Sequence, residues 1–327
     1  MKLLKKYLTT MALTLLTCAA GAATAADATF QDRPIQIVVP YAAGGTIDTI
    51  ARHLQPKLQT ILGRPVIVDN RPGAGTMIGA STVARAEPNG HTLFLGSNAA
   101  FTISPQLMEN VTYDPLRSFA AIGTVASFPN LIIVSPKSPY KTLADVIEAA
   151  RKSPGKLSYA SFGPASTAQL TGEAIKVAAG VDITEIPYKS GAQCVQAVLS
   201  GEVTFGFDPS VGSLQRVKVG QVNALSTTSA NRMAELPQVP SIVEAGYPDA
   251  ELTAWVALFA PAATPEQTQK ALSEALQSVL ADPQLKSKFA GMGMELTSLD
   301  SKATMGMIRN EYVRIAKLIE KAKLKKN

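Results

Sequence analysis

The chain has 327 residues, 46% hydrophobic and 17% charged, with two cysteines, two histidines and a formal net charge of +6. Apolar content at that level excludes a disordered chain, and so few cysteines exclude a disulfide scaffold. The length fits two domains of about 100–200 residues each, and past the N-terminus no apolar run reaches the ~20 residues that span a bilayer.

The N-terminus reads as an address. Lys2, Lys5 and Lys6 precede an apolar stretch over residues 8–20. Ala23-Thr24-Ala25 and Thr24-Ala25-Ala26 both place small residues where signal peptidase cuts. Residues 1–26 are therefore expected to be a cleaved signal peptide that exports the mature chain. A lipoprotein anchored through Cys18 is disfavoured, because Thr17 stands where a lipobox has Gly or Ala. Loss of the three lysines lowers the net charge from +6 to +3.

Strand and helix signals then alternate, which predicts an α/β fold with mainly parallel sheets. Ile35-Gln36-Ile37-Val38-Val39 is a strand, and a helix follows over 46–62 with an apolar stripe at Ile47, Ile50, Leu54, Leu58 and Ile61. Val66-Ile67-Val68 leads through Asn70-Arg71-Pro72-Gly73-Ala74-Gly75 into a helix near 77–86, and Leu93-Phe94-Leu95-Gly96 opens into Ser97-Asn98. Strands at 131–134, 157–161, 185–188 and 203–207 alternate with helices at 142–152 (capped by Thr142), 168–179 and 191–199. An apolar run at 252–260 holds Trp255. Thr264-Pro265-Glu266-Gln267 reads as a capping box. The last helix puts Met305, Ile308, Tyr312, Ile315 and Ile319 on one stripe. Two lobes are expected, with a ligand cleft between them: residues 27–126 plus 251–327, and an inserted 127–250.

The catalytic inventory is thin. No HExxH, CxxC or GxSxG occurs, and His53 and His91 have no metal-ligand partner at useful spacing, so no catalytic residue, metal or cofactor is assigned. Cys194 lies in a small, apolar helical stretch and reads as a buried structural thiol. The basic residues are scattered without interleaved aromatics, which argues against nucleic acid. Lys317, Lys321, Lys323, Lys325 and Lys326 crowd the C-terminal helix, where they complement its dipole.

What the chain offers instead is small polar turns at strand ends. Tyr41-Ala42-Ala43-Gly44-Gly45-Thr46, Gly73-Ala74-Gly75-Thr76 and Ser161-Phe162-Gly163-Pro164-Ala165-Ser166-Thr167 all lead into helices. A helix start carries unpaired N–H groups and roughly half a positive charge, so it can hold a carboxylate without a charged side chain. None of these turns matches GxxxxGK[ST] or GxGxxG, which disfavours nucleotides. Such turns in both lobes suit a small acid held at both ends. Gly75, Thr76, Ser97 and Asn98 join the candidates because they sit at strand ends or helix starts.

Val39-Pro40-Tyr41-Ala42-Ala43-Gly44-Gly45-Thr46-Ile47-Asp48 resembles the first-strand signature of the Bug-type periplasmic substrate-binding proteins of tripartite tricarboxylate transporters. Val68-Asp69-Asn70-Arg71-Pro72-Gly73-Ala74-Gly75, Pro187-Tyr188-Lys189 and Leu236-Pro237-Gln238-Val239-Pro240 resemble further blocks of that family, in its order. The resemblance implies a type II periplasmic-binding fold that closes on a small carboxylate and delivers it to a membrane permease. It also implies first-lobe contacts over residues 41–46, including Tyr41, Ala42, Gly44, Gly45 and Thr46, with Asp48 capping the helix. Second-lobe contacts would be Ser161, Gly163, Ser166, Thr167, Tyr188 and Asp208. Ser190 stands where the family usually has glycine; it either donates to the distal end of a ligand or tightens a turn. Asp208 would repel a second carboxylate but accept an ammonium or hydroxyl. A monomer is expected. The alternatives are the same receptor serving a membrane sensor, and a periplasmic enzyme, for which no nucleophile–base pair is in sight.

Overall fold

The computed structural model describes residues 33–326. The expected signal peptide lies outside the described residues. The elements are β1 (Ile35–Val39), α1 (Thr46–Leu62), β2 (Val66–Asn70), α2 (Met77–Ala84), β3 (Thr92–Ser97), α3 (Ser104–Leu107), β4 (Phe119–Phe128), β5 (Asn130–Val134), α4 (Leu143–Lys152), β6 (Ser158–Ser161) and α5 (Thr167–Ala179). They continue as β7 (Thr184–Pro187), α6 (Gly191–Ser200), β8 (Phe205–Pro209), α7 (Ser210–Lys218), β9 (Asn223–Thr227), β10 (Ala254–Pro261), α8 (Glu266–Leu280), α9 (Pro283–Gly291), β11 (Glu295–Leu296) and α10 (Ser301–Lys321).

Two sheets form, ordered β11-β4-β10-β3-β1-β2 and β7-β6-β8-β5-β9. β1 runs parallel to β2 and β3, and β6 runs parallel to β7 and β8. β10 is antiparallel to both its neighbours, as is β5. These reversed strands are the ones on which the chain arrives from the other sheet, so two parallel βα runs are joined through antiparallel strands. Only Pro129 separates β4 in the first sheet from β5 in the second.

The first sheet is covered on both faces. Ile47, Ile50, Leu54 and Leu58 of α1 and Leu272, Leu276 and Val279 of α8 bury one face, with Ile35, Ile37 and Val39 beneath them. Full burial of each such side chain contributes roughly 1.5–3 kcal/mol. Ile61 of the expected stripe is instead 45% exposed, because it lies in the last turn before the left-handed Gly63 ends the helix. Aromatic rings fill the opposite face, where Phe101 stacks on Phe259 at 4.1 Å and Trp255 and Ile308 complete the cluster. In the second sheet Tyr159, Phe205 and Phe207 pack beneath α4 and α5, while Cys194, Val195 and Val198 of α6 cover the other side.

Helix caps divide the expectations. Thr142 forms a reciprocal capping box with Asp145. At Thr264 the box does not form: Pro265 occupies the cap position in an extended conformation, α8 starts at Glu266, and the Thr264 hydroxyl is buried without a partner. The helix therefore begins one residue later than the spacing predicted, and the threonine cannot reach its first turn. Both histidines serve packing. His53 lies 5.9 Å from the Phe289 ring, and His91 is buried with Nδ1 3.3 Å from the Pro34 carbonyl.

α10 is not confined to one lobe. Ile308 joins the aromatic cluster of the first sheet, whereas Ile315 packs with Ala165 and Leu170 and Leu318 packs against the core of the second. Lys321 pairs with Asp249 at 2.8 Å and Arg314 with Glu251 at 3.2 Å. The helix thus straps the two sheets along one side.

Candidate functional site

β1 runs into a loop at residues 41–45 whose shape is set from behind by Asp48. This carboxylate is 1% exposed and accepts from the Gly44 N–H at 2.8 Å, Arg52 Nε at 2.8 Å and Asn70 Nδ2 at 2.9 Å. Burial alone would raise its pKa, but the bonds from Arg52, Gly44 and Asn70 outweigh burial and hold it below the ordinary value. Asn70 also reaches the Tyr41 carbonyl at 3.1 Å. Asp48 therefore organises the loop, and its acceptor capacity is taken up. Among the described residues the N–H groups of Thr46, Ile47 and Asp48, at the start of the 17-residue α1, have no protein acceptor. Gly44, at φ 81°, makes the left-handed turn that leads into them.

Replacing Asp48 with alanine strands three donors. We expect a loss of about 2 kcal/mol, discounted from a fully buried pair because Arg52 is half exposed. The contribution of a depressed carboxylate is present above its unfolded-state pKa and fades as pH falls through the folded value. The gap between wild type and D48A in urea unfolding should accordingly narrow in acid; a gap that stays constant from neutral pH to pH ~3 would remove Asp48 from this role.

Tyr41 and Ser97 tie the loops of β1 and β3 together through a 2.7 Å hydroxyl–hydroxyl bond. Burial pushes the Tyr41 phenol up to about 12, with the Ser97 bond pulling the other way. Asn98 is buried and its amide reaches the Thr253 carbonyl at 3.4 Å. After β2, residues 73–76 all have positive φ, including Thr76 at 80°, an unfavourable setting for a β-branched side chain. Ser104 Oγ holds the turn through the Gly75 carbonyl at 2.6 Å, and the Thr76 hydroxyl is buried without a partner.

In the second lobe, residues 161–167 form a self-bonded loop. Ser161 Oγ donates to Glu185 at 2.5 Å and accepts from the Gly163 N–H at 3.0 Å. Gln169 donates to the other Glu185 oxygen at 3.0 Å and accepts from the Ala165 N–H. Ser166 caps α5 through the Gln169 N–H and donates to the Gly163 carbonyl. Thr167 accepts from Asn130 Nδ2 at 2.9 Å, next to the β4–β5 junction. Ala165 sits with Ile103 and Leu107, so this loop lies beside the segment that follows Asn98 in the first lobe. Glu185, Gln169 and Asn130 were not singled out in the sequence; a lone polar residue in a short strand or helix gives no signal of its partner.

Three further residues make hydrogen bonds within the second lobe. The Tyr188 hydroxyl donates to Glu202, at the far end of α6, at 2.7 Å. Burial and that bond push its pKa up to about 12. Asp208 is wedged between the starts of α6 and α7, where Ser213 Oγ donates to it and Arg216 lies 3.6 Å away. Burial pushes it up to about 6 against the pull of Ser213 and Arg216. Ser190 caps α6 by accepting from the Gln193 N–H. Among the described residues, no hydrogen bond joins residues 41–46 to the loops of the second sheet.

Two α/β lobes with neutral amide-bearing turns at their strand ends define the scaffold of a solute-binding protein. Residues 50–324 match the tripartite tricarboxylate transporter family receptor, TctC. The protein BugT of Bordetella pertussis is 31% identical over 98% of this chain and 99% of its own. The periplasmic binding protein BugD superposes with a TM-score of 0.82 at 33% identity, over 91% of this chain and all of its own. Rpa4515 of R. palustris, solved with adipate, gives 0.84 at 29% over 90% of this chain and 99% of its own. MatC from Rhodopseudomonas palustris, solved with malate, gives 0.81 at 27% over 89% of this chain and all of its own. The chain belongs to the TctC receptor family, whose members are periplasmic solute-binding receptors and not enzymes.

Proposed function

We propose that this receptor, exported by cleavage of residues 1–26, binds a small organic acid between lobes formed by residues 27–126 with 251–327 and by residues 127–250. It hands the acid to the permease of a tripartite transporter. The observation that carries this reading is the free first turn of α1: three N–H donors with no acceptor among the described residues, at the positive end of a helix, behind a loop locked by Asp48. One carboxylate of the acid sits there, with Tyr41, Ala42, Gly44, Gly45 and Thr46 around it and Ser97, Asn98, Gly75 and Thr76 as neighbours. The start of α5, with Gly163, Ser166 and Thr167, takes the other end. Ser161 acts through the loop it organises. Asp208 and Tyr188 support the second-lobe wall, since both are engaged within their own lobe. The adipate and malate held by two relatives support a dicarboxylate.

The test is a thermal-shift screen of residues 27–327 against mono-, di- and tricarboxylates. At one hundred times its dissociation constant a ligand that binds only the folded state adds about 2.7 kcal/mol, a clear rise in Tm. A dicarboxylate hit that Thr46→Val weakens, with unchanged circular dichroism, is the expected result. Silence across all three classes from folded, ligand-free protein would overturn the carboxylate reading.

A further inference from the structure

α10 turns its apolar side to both lobes and leaves the opposite side to solvent. Lys302, Arg309, Val313 and Lys317 lie on that outer side, followed by Lys321, Lys323, Lys325 and Lys326, and all eight are exposed. Val313 is 56% exposed in their midst. Residues 301–327 contain eight lysines and arginines against two glutamates, a net +6 that equals the charge of the whole chain. With the three N-terminal lysines set aside, residues 27–300 sum to −3. The protein is thus an acidic body carrying one strongly basic helix.

Of the two acids on this helix, Glu320 is exposed among the outer cations, and Glu311 points inward, accepting from Thr102 at 2.6 Å and from Trp255 Nε1 at 2.9 Å. Arg314 and Lys321 are taken up by Glu251 and Asp249. Lys302, Arg309, Lys317, Lys323, Lys325 and Lys326 form no ion pair among the described residues. On α5, which packs against α10, Lys176 is matched with Glu173 at 2.8 Å. The net positive excess therefore lies on α10 and its tail, since residues 27–300 sum to a negative charge.

We propose that the outer face and tail of α10 form an electrostatic docking surface for an anionic lipid bilayer. Charge complementarity selects an acidic partner, and the form of the charge selects lipid. The cations extend along a helix about 30 Å long. The last five are all lysines, compact hydrated charges without the fork that fits a single carboxylate. A diffuse charge with one exposed apolar side chain matches a smeared anionic surface, whereas an acidic protein loop would need shaped pockets. Each lysine near such a surface raises partitioning about fivefold, so three together account for about a hundredfold. The proposal is independent of the ligand.

The experiment is co-sedimentation of residues 27–327 with vesicles of phosphatidylglycerol and phosphatidylcholine, against phosphatidylcholine alone, at low and high salt. The variant K323Q/K325Q/K326Q changes residues past the end of the helix, and its Tm is checked against wild type. K137Q/K156Q/K270Q removes the same charge from other exposed sites. The expected result is binding to the anionic vesicles only, lost in high salt, weakened about a hundredfold in the tail variant and retained in the control. No binding to anionic vesicles, equal binding to neutral ones, or an equal loss in both variants would overturn it. Wild-type protein that ignores vesicles but is retained by immobilised polyglutamate would assign the face to an acidic protein and overturn the lipid assignment.

Discussion

Gly191→Ala is expected to destabilise the protein by about 3 kcal/mol, near the upper end for overpacking. A Cβ at this position would lie 2.0 Å from Asp208 Oδ1, 3.2 Å from its Cγ and 3.3 Å from Pro209 Cδ. None of these can yield cheaply. Asp208 is fixed by Ser213, its other oxygen faces Gly212, where a Cβ would stand 2.8 Å away, and Pro209 begins the turn into α7. The requirement is for space, so the glycine serves to let the start of α6 close on a buried carboxylate. Urea unfolding of the variant gives the test; a midpoint within error of wild type would show that α6 shifts freely and that the wedge is loose.

The second large effect belongs to that carboxylate. Asp208 titrates at about 6 when folded, against an ordinary value of 3.8. Between those values the folded state holds more protons than the unfolded one, so stability falls as pH rises and levels off above about 6. Two units correspond to about 3 kcal/mol. Asp208→Asn keeps the shape and an acceptor for Ser213 but cannot ionise. We expect the stability difference between D208N and wild type to move in favour of the variant by about 2 kcal/mol from pH 4 to pH 7. A difference independent of pH would mean that Ser213 and Arg216 fully compensate for the burial of the charge.

Amphipathic pattern made much of this fold readable in advance. α1 shows its stripe because one face meets a sheet and the other meets water, and Thr142 announces α4 because a capping box is local chemistry. β4 gives no such signal: in Phe-Ala-Ala-Ile-Gly-Thr-Val-Ala-Ser-Phe both faces are buried, so no alternation survives. α7 and α9 are nine residues each with few buried positions, too short for a stripe to stand out. At the candidate site, turns at strand ends could be located because glycine and small polar residues mark them. The direction of a side chain could not. Nothing near Tyr188 reveals that its hydroxyl reaches Glu202, and nothing near Ser161 reveals a bond to Glu185, since both partners are fourteen or more residues away.

The course of α10 bears on how this molecule can be watched. β1, near the start of the described chain, belongs to the first sheet, while Leu318 and Lys321 rest on the second lobe. The start of the described chain is therefore held by the first sheet and the end of α10 by the second, although the first sheet draws strands from both halves of the sequence. Dyes placed at these two points would report any change in the spacing of the sheets on solute addition as a change in energy transfer, without a label near residues 41–46 or 161–167.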